Sequence, residues 1–252
     1  MAWSSYAWLT NIVDPEEGFV GAALLVALIA MFVAALVVPG VRRRGRGLWR
    51  RVRRGVRDAP CVYALAARGN RDMQGAVVRL APWSLLDATL ILVAGFADGA
   101  RTWLWLAALV CGYVGAVVSG STGWQLHPSH FAERHGLVVI VALGEAFISI
   151  GIGVTGIGIG LGEVVSAVLA LLVATSFWLA YFDVFSIRGE QMLGELHGPE
   201  RVAFGRDVFT YAHFPMIVGI VLFAFAMKEI IGHVGDEPGS VVAVALCGGS
   251  AL

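Results

Sequence analysis

The chain has 252 residues, 58% of them hydrophobic, with a mean hydropathy of +0.78, well above the roughly 45–50% apolar usage of soluble domains. Eighteen Lys and Arg balance eighteen Asp and Glu, so no bulk field of either sign points to a nucleic-acid partner. The three cysteines, Cys61, Cys111 and Cys247, are scattered without CxxC spacing and read as small apolar fillers rather than a disulfide framework or metal site.

The N-terminus has no basic stretch followed by an apolar core, so it does not read as a signal peptide. Trp3, Tyr6 and Trp8 suit a membrane interface, and Asp14, Glu16 and Glu17 suit water. Residues 18–39 are uncharged and long enough to cross a bilayer as a helix. Residues 41–57 then carry nine arginines. One reading makes this a cytoplasmic polybasic loop, with Arg42–Arg57 holding anionic lipid headgroups at about 1 kcal/mol per residue. Nine guanidiniums cannot be desolvated together, so no buried span is expected there.

Further spans are expected over about 81–98, 102–120, 136–158, 164–187 and 208–231, followed by a short apolar segment, 239–252. The predicted fold is all-α: a polytopic transmembrane bundle of about six complete spans in a single integral membrane domain, 1–252. Lys and Arg set its orientation. With 41–57 inside, Arg68, Arg71, Arg79, Arg134, Arg188, Arg201 and Arg206 also fall inside, and Arg101 and Lys228 fall outside. Residues 121–135 and 188–206 are then cytoplasmic loops of a multi-pass protein of the bacterial cytoplasmic membrane.

Pro128 and Ser129 read as a helix start, with Ser129 able to cap free N–H groups and Glu133 placed in the first turn. Glu145 lies 11 residues beyond Arg134, roughly 16 Å along a helix and about half of a ~30 Å hydrocarbon core. A carboxylate there costs at least ~2.5 kcal/mol, so it is expected to face the protein interior. Three other ionisable groups fall inside spans: Asp87 about 12 Å in, Asp183 about 7 Å in and His213 about 10 Å in. All four belong to the cytoplasmic half in this topology. Such convergence suits an ion or proton site. Separate hydrogen-bonding groups between helices would place the same residues there.

The run His130-Phe-Ala-Glu-Arg-His-Gly-Leu-Val-Val-Ile-Val-Ala-Leu-Gly-Glu145 resembles the signature of the bacterial low temperature requirement protein A (LtrA) family. Its key positions are His130, Glu133, Arg134, His135, Gly144 and Glu145. Tyr211-Ala-His-Phe-Pro-Met-Ile-Val-Gly-Ile220 resembles the family's Tyr-x-His helix, giving Tyr211 and His213, and Trp3-Ser-Ser-Tyr-Ala-Trp-Leu-Thr-Asn11 resembles an aromatic segment upstream. The resemblance implies a polytopic membrane protein and assigns no biochemical activity. It also implies that this is an incomplete member, lacking the first helix and the C-terminal helices. Near 41–57 the family has a further apolar segment, and its pattern resumes at Tyr63-Ala-Leu-Ala-Ala-Arg68. A local frameshift in the coding sequence is therefore the alternative to a true arginine-rich loop.

Other motifs give less. His127, His130 and His135 with Glu133 invite a metal reading, but the spacing is neither His-Glu-x-x-His nor its inverse, and no metal or cofactor is expected. Gly151-Ile-Gly-Val-Thr-Gly156 fits GxGxxG, yet follows a membrane helix and not a strand. The six glycines between 151 and 162 read as a loosened helix end or a close helix approach. Pro215 is expected to kink its helix and free a carbonyl near His213. Trp178, Tyr181 and Phe182 read equally as an interface belt or a ligand wall.

The leading expectation is a proton- or cation-coupled transporter, not an enzyme, with Glu145 central and Asp87, Asp183 and His213 as its partners. The alternatives are an intramembrane metal-dependent hydrolase using His127, His130, His135, Asp183 and His213, and a non-catalytic membrane sensor or scaffold. The lipid bilayer is the expected partner; oligomeric state is not legible.

Overall fold

The structure, a computed structural model, describes Ala7, Trp8, Asn11, Leu25 and residues 71–94, 97, 99–155 and 158–251. The expected span 18–39 (Leu25 apart), the arginine-rich segment 41–57 and Tyr63–Arg68 lie outside the described residues. Among these residues every regular element is helical. Four runs are long and apolar enough to cross a membrane: Arg101–Val118, Pro128–Gly153, Leu161–Glu195 and Gly198–Gly232.

The chain divides into two compact units. One holds the described residues up to Leu126 together with Gly198–Ala203. It is built on a hairpin of α1 (Arg71–Ala94) and α2 (Arg101–Val118). Helix α1 begins ten residues before the expected span 81–98. Hydropathy reports the apolar part alone, whereas the helix continues into a polar turn where Asp72 complements the N-terminal dipole. The two helices approach closely at Gly115, where any Cβ would overlap the Trp83 side chain. Arg79 closes the hairpin. Its guanidinium donates to the carbonyls of Ser119 (2.9 Å) and Thr122 (2.6 Å), just past the α2 C-terminus, where carbonyls lack helical partners and favour a cation. The following loop turns at Gly123, whose φ of +85° only glycine adopts readily, with its backbone against the Asp72 carbonyl. Here Trp8 meets Trp124 edge to face at 5.9 Å, and Asn11 donates to the Gln125 carbonyl at 3.2 Å.

The other unit holds His127–His197 and the chain from Phe204 onward. Helix α3 (Pro128–Gly153) begins with Pro128 at its first position, where a missing N–H costs nothing. The expected Ser129 cap is not formed: His127 occupies the cap position and makes no capping hydrogen bond with its side chain, and Glu133 lies beyond the first turn. Val139, Ala142, Leu143, Ala146 and Ile150 are buried at helical spacing and make the core-facing stripe.

The next run is continuous over Leu161–Glu195: α4 (Leu161–Leu179), a π-helical segment over Ala180–Phe185, and α5 (Ser186–Glu195). After Leu196 and His197 the chain re-enters a helical run: α6 (Gly198–Phe204), a second π-helical segment over Gly205–Ala212, and α7 (His213–Gly232). The expected loop 188–206 is thus mostly helix. Its charged residues Arg188 and Glu190 are exposed while Gly189 and Leu193 are buried, so amphipathicity sustains helix where hydropathy ends. Helix α8 (Ser240–Ala251) covers the expected short apolar segment.

Small residues set the spacing in this unit. A Cβ on Gly249 of α8 would lie 2.7 Å from the Gly219 carbonyl and Phe223 nitrogen of α7. One on Gly153, at the end of α3, would lie 3.0 Å from the Lys228 carbonyl. The glycine run from 151 therefore does both things expected of it: Gly153 allows close approach, and α3 ends there. Such glycine contacts replace the solvent-driven hydrophobic effect, which is absent between helices in lipid.

Candidate functional site: a buried histidine–tyrosine cluster

Three helical runs meet around two histidines. Each contributes an aromatic pair four residues apart: Phe131 and His135 from α3, Tyr181 and Phe185 from the first π segment, and Phe209 and His213 from the end of the second π segment and the start of α7. His135 is 1% exposed and His213 3%. The His135 and His213 rings lie 5.3 Å apart by centroid, edge to face. Phe209 stacks on His213 at 5.2 Å and meets Phe131 at 5.8 Å and His135 at 5.6 Å. On the other side, Phe185 packs on His213 at 5.2 Å and stacks on Tyr181 at 5.5 Å.

Hydrogen bonds fix the tautomers. His135 Nδ1 lies 2.9 Å from the Phe131 carbonyl and His213 Nδ1 lies 3.1 Å from the Val208 carbonyl. A carbonyl only accepts, so both Nδ1 atoms carry the proton. In the neutral rings both Nε2 atoms are then acceptors. The Tyr181 hydroxyl donates to His213 Nε2 at 2.9 Å. His135 Nε2 is buried without a hydrogen-bond partner among the described residues.

Local chemistry explains the π segments. Pro215 has no N–H, and in an α-helix its ring would strike the Tyr211 carbonyl. The widened segment Gly205–Ala212 just before it shifts the hydrogen-bond register. The His213 ring is bonded to the Val208 carbonyl, seven residues before Pro215, so this carbonyl is not one that the proline frees. Wide turns of this kind frequently mark functional sites. Close approach of the segments is set at Gly189, where a Cβ would lie 2.7 Å from Phe209 Cζ; at Gly136 a Cβ would meet Phe182 Cε1 at an ordinary contact distance, 3.4 Å.

The expected site residues are not gathered into one constellation. His213 is central to the cluster. Glu145 is exposed on α3: the 3.6-residue period that buries Leu143 and Ala146 leaves it on the outward side. It accepts a hydrogen bond from Ser149 Oγ at 3.2 Å, the partner expected on its own helical face, whereas the expected interior placement is not found. Asp183 is exposed, and Asp87 is half-buried on α1 in the other unit. Arg206 pairs with Asp207 at 2.7 Å and lies over the Tyr211 ring at 5.8 Å, so Tyr211 holds a cation–π contact.

The metal-dependent arrangement is not assembled either. His127 and His130 are exposed while His135 is buried, because residues at 127, 130 and 135 do not share one helical face. No group of three His, Cys, Asp or Glu side chains that could hold a metal ion occurs among the described residues.

Phe131, Phe185 and Phe209 were not singled out from the sequence, and Tyr181 was read as interface belt or ligand wall. A repeated Phe-x-x-x-His, at Phe131–His135 and again at Phe209–His213, was the available signal.

Membrane-length apolar helices around a buried histidine–tyrosine cluster define an α-helical integral membrane protein. The profile of the bacterial low temperature requirement A protein (LtrA) family matches residues 1–252, and the chain belongs to that family. It is also similar to an uncharacterized protein of Rhizobium meliloti (strain 1021), at 26% identity over 244 residues. That alignment covers 92% of this chain and 59% of the relative, so the chain spans about three-fifths of the relative's length. No solved structure matches the chain.

Proposed function

We propose that the protein is a proton- or cation-coupled transporter of the bacterial cytoplasmic membrane, crossing it several times as a single membrane domain. The observation that carries this reading is the Tyr181–His213 hydrogen bond, held beside His135 within apolar helical runs. An ionisable group inside a membrane is costly and marks a relay or an ion pathway. Of the side chains in contact there, imidazole is the one that ordinarily exchanges a proton near neutral pH. Both wide helical segments border this cluster, supplying backbone that changes register at low cost.

In this reading His135 and His213 form the relay, with Tyr181 beside them. Glu145 and Asp183, exposed on the same unit, are the carboxylates that exchange with the surroundings. The protein sits with 121–135 and 188–206 toward the cytoplasm and with Arg42–Arg57 at anionic headgroups. The test is ion and proton flux in proteoliposomes, comparing the wild-type chain with His213→Gln. Loss of pH-coupled flux with unchanged insertion and folding supports the reading. Equal flux in both proteins, or no flux in wild type under any imposed ion or pH gradient, removes it.

A further inference from the structure

We infer that the ligand of the buried cluster is a proton alone, one per chain, and that its acceptor is His135 Nε2. This rests on the coupled-transport reading for its role, and on geometry for its chemistry.

The acceptor is defined by elimination within the cluster. Both Nδ1 atoms are tied to backbone carbonyls, at 2.9 Å for His135 and 3.1 Å for His213. His213 Nε2 is occupied by the Tyr181 hydroxyl at 2.9 Å. His135 Nε2 keeps its lone pair, in a side chain that is 1% exposed. Of the four ring nitrogens of the two histidines it is the one that no described group occupies, and its lone pair is what a proton binds.

The surroundings select the ligand. Ring centroids around the two histidines lie between 4.5 and 5.6 Å, which is contact spacing for aromatic pairs. A hydrated ion does not fit between rings in contact, whereas a proton adds almost no volume. Hard cations take several oxygen ligands, whereas the rings that line the cluster present a single side-chain oxygen, the Tyr181 hydroxyl, which is committed to His213. The Phe131 and Phe209 rings lie 4.5 and 5.6 Å from the His135 ring and leave no room for a bulkier ligand on those sides.

Stoichiometry follows from spacing. Of the titratable groups on elements packed against α3, Tyr181 and His213 contact the cluster rings. Asp183, Arg188, Glu190, Glu195, Asp207 and Lys228 are exposed, Arg206 is paired with Asp207, Glu163 and Glu229 lie half-buried near the far ends of their helices, and Arg134, beside His135 on α3, is half-buried. No carboxylate among these offsets a second positive charge. Two imidazoliums 5.3 Å apart repel enough to weaken the second proton on the order of a hundredfold at an effective dielectric of about 20. The proton comes from water on the side of uptake and leaves as hydronium on the side of release. No bond other than N–H forms or breaks.

The test is a titration of the full chain in lipid nanodiscs with 15N-labelled histidine, followed by NMR from about pH 8 down to the loss of fold. The expected result is that the unprotonated His135 Nε2 resonance disappears as pH falls. His213 should keep its Nδ1–H form with Nε2 accepting, and the pair should take up one proton. His135→Gln should remove that transition and serves as assignment; the wild-type titration stands without it if the variant does not fold. Excess Na+, K+ or Zn2+ should leave the transition in place. Displacement by any of these, simultaneous charging of both rings, or an Nε2 that stays unprotonated until unfolding would overturn the inference. If His135 titrates and proteoliposomes show no flux, the transport reading fails and this assignment stands. If pH-coupled flux persists in folded His135→Gln, this assignment fails and transport stands.

Discussion

Replacing Tyr181 by Phe isolates one hydrogen bond from the packing around it. The ring can keep its stack on Phe185 at 5.5 Å and its edge contact with His213 at 5.5 Å, because neither needs the hydroxyl. What is lost is the 2.9 Å bond to His213 Nε2, which links two helical runs. Hydrogen bonds between membrane helices are worth about 0.6 kcal/mol on average and up to ~1.7 kcal/mol. Here the loss also leaves an acceptor unsatisfied in a side chain that is 3% exposed, and such groups cost roughly 1–3 kcal/mol. The two figures describe the same event, so the expected destabilisation is about 1–2 kcal/mol. The assay is reversible unfolding in mixed micelles, with a double-mutant cycle pairing Tyr181→Phe with His213→Phe. A coupling of about 1 kcal/mol is expected, since both changes delete the same bond. A Tyr181→Phe loss below about 0.3 kcal/mol, or fully additive mutants, would show that the bond carries nothing and that the cluster is held by ring packing alone.

Gly189→Ala should destabilise by about 1–3 kcal/mol, because its Cβ would lie 2.7 Å from Phe209 Cζ; Phe209→Leu in the same chain should recover part of the loss, as read by thermal unfolding. Arg79→Ala should loosen the α1–α2 hairpin by about 1–3 kcal/mol through loss of the bonds to the Ser119 and Thr122 carbonyls, seen as faster hydrogen exchange at the α2 C-terminus. Glu145→Gln should leave unfolding within about 0.5 kcal/mol of wild type, because Glu145 is exposed and its bond from Ser149 survives in the amide; a larger loss would mean that its carboxylate is a structural partner. Cysteines at Ser121 and Gly198 should resist an impermeant thiol reagent added outside intact cells, and labelling of both would reverse the assigned orientation.

The sequence by itself determined the class of this protein. Apolar length is a one-dimensional property, and a bilayer requires backbone hydrogen bonds to close within each segment, so uninterrupted apolar stretches must be helices. The helix start at Pro128 was legible for a local reason, since proline acts on its own neighbours. The signature around His135 and Glu145 carried the family, but could not tell which of its ionisable residues points inward. That choice depends on which side of α3 meets other helices, and the period that buries Leu143 and Ala146 turns Glu145 outward. Tyr181 and His213 are 32 residues apart in the chain and meet across two helical runs. Their contact depends on glycines that let backbones approach, and on two wide helical segments whose register is a compromise between proline, ring packing and hydrogen bonding. Those are properties of neighbouring surfaces, not of any single segment. For that reason tertiary structure alone decided which polar side chains share a site, and it gathered the histidines and a tyrosine where the one-dimensional reading had gathered the carboxylates.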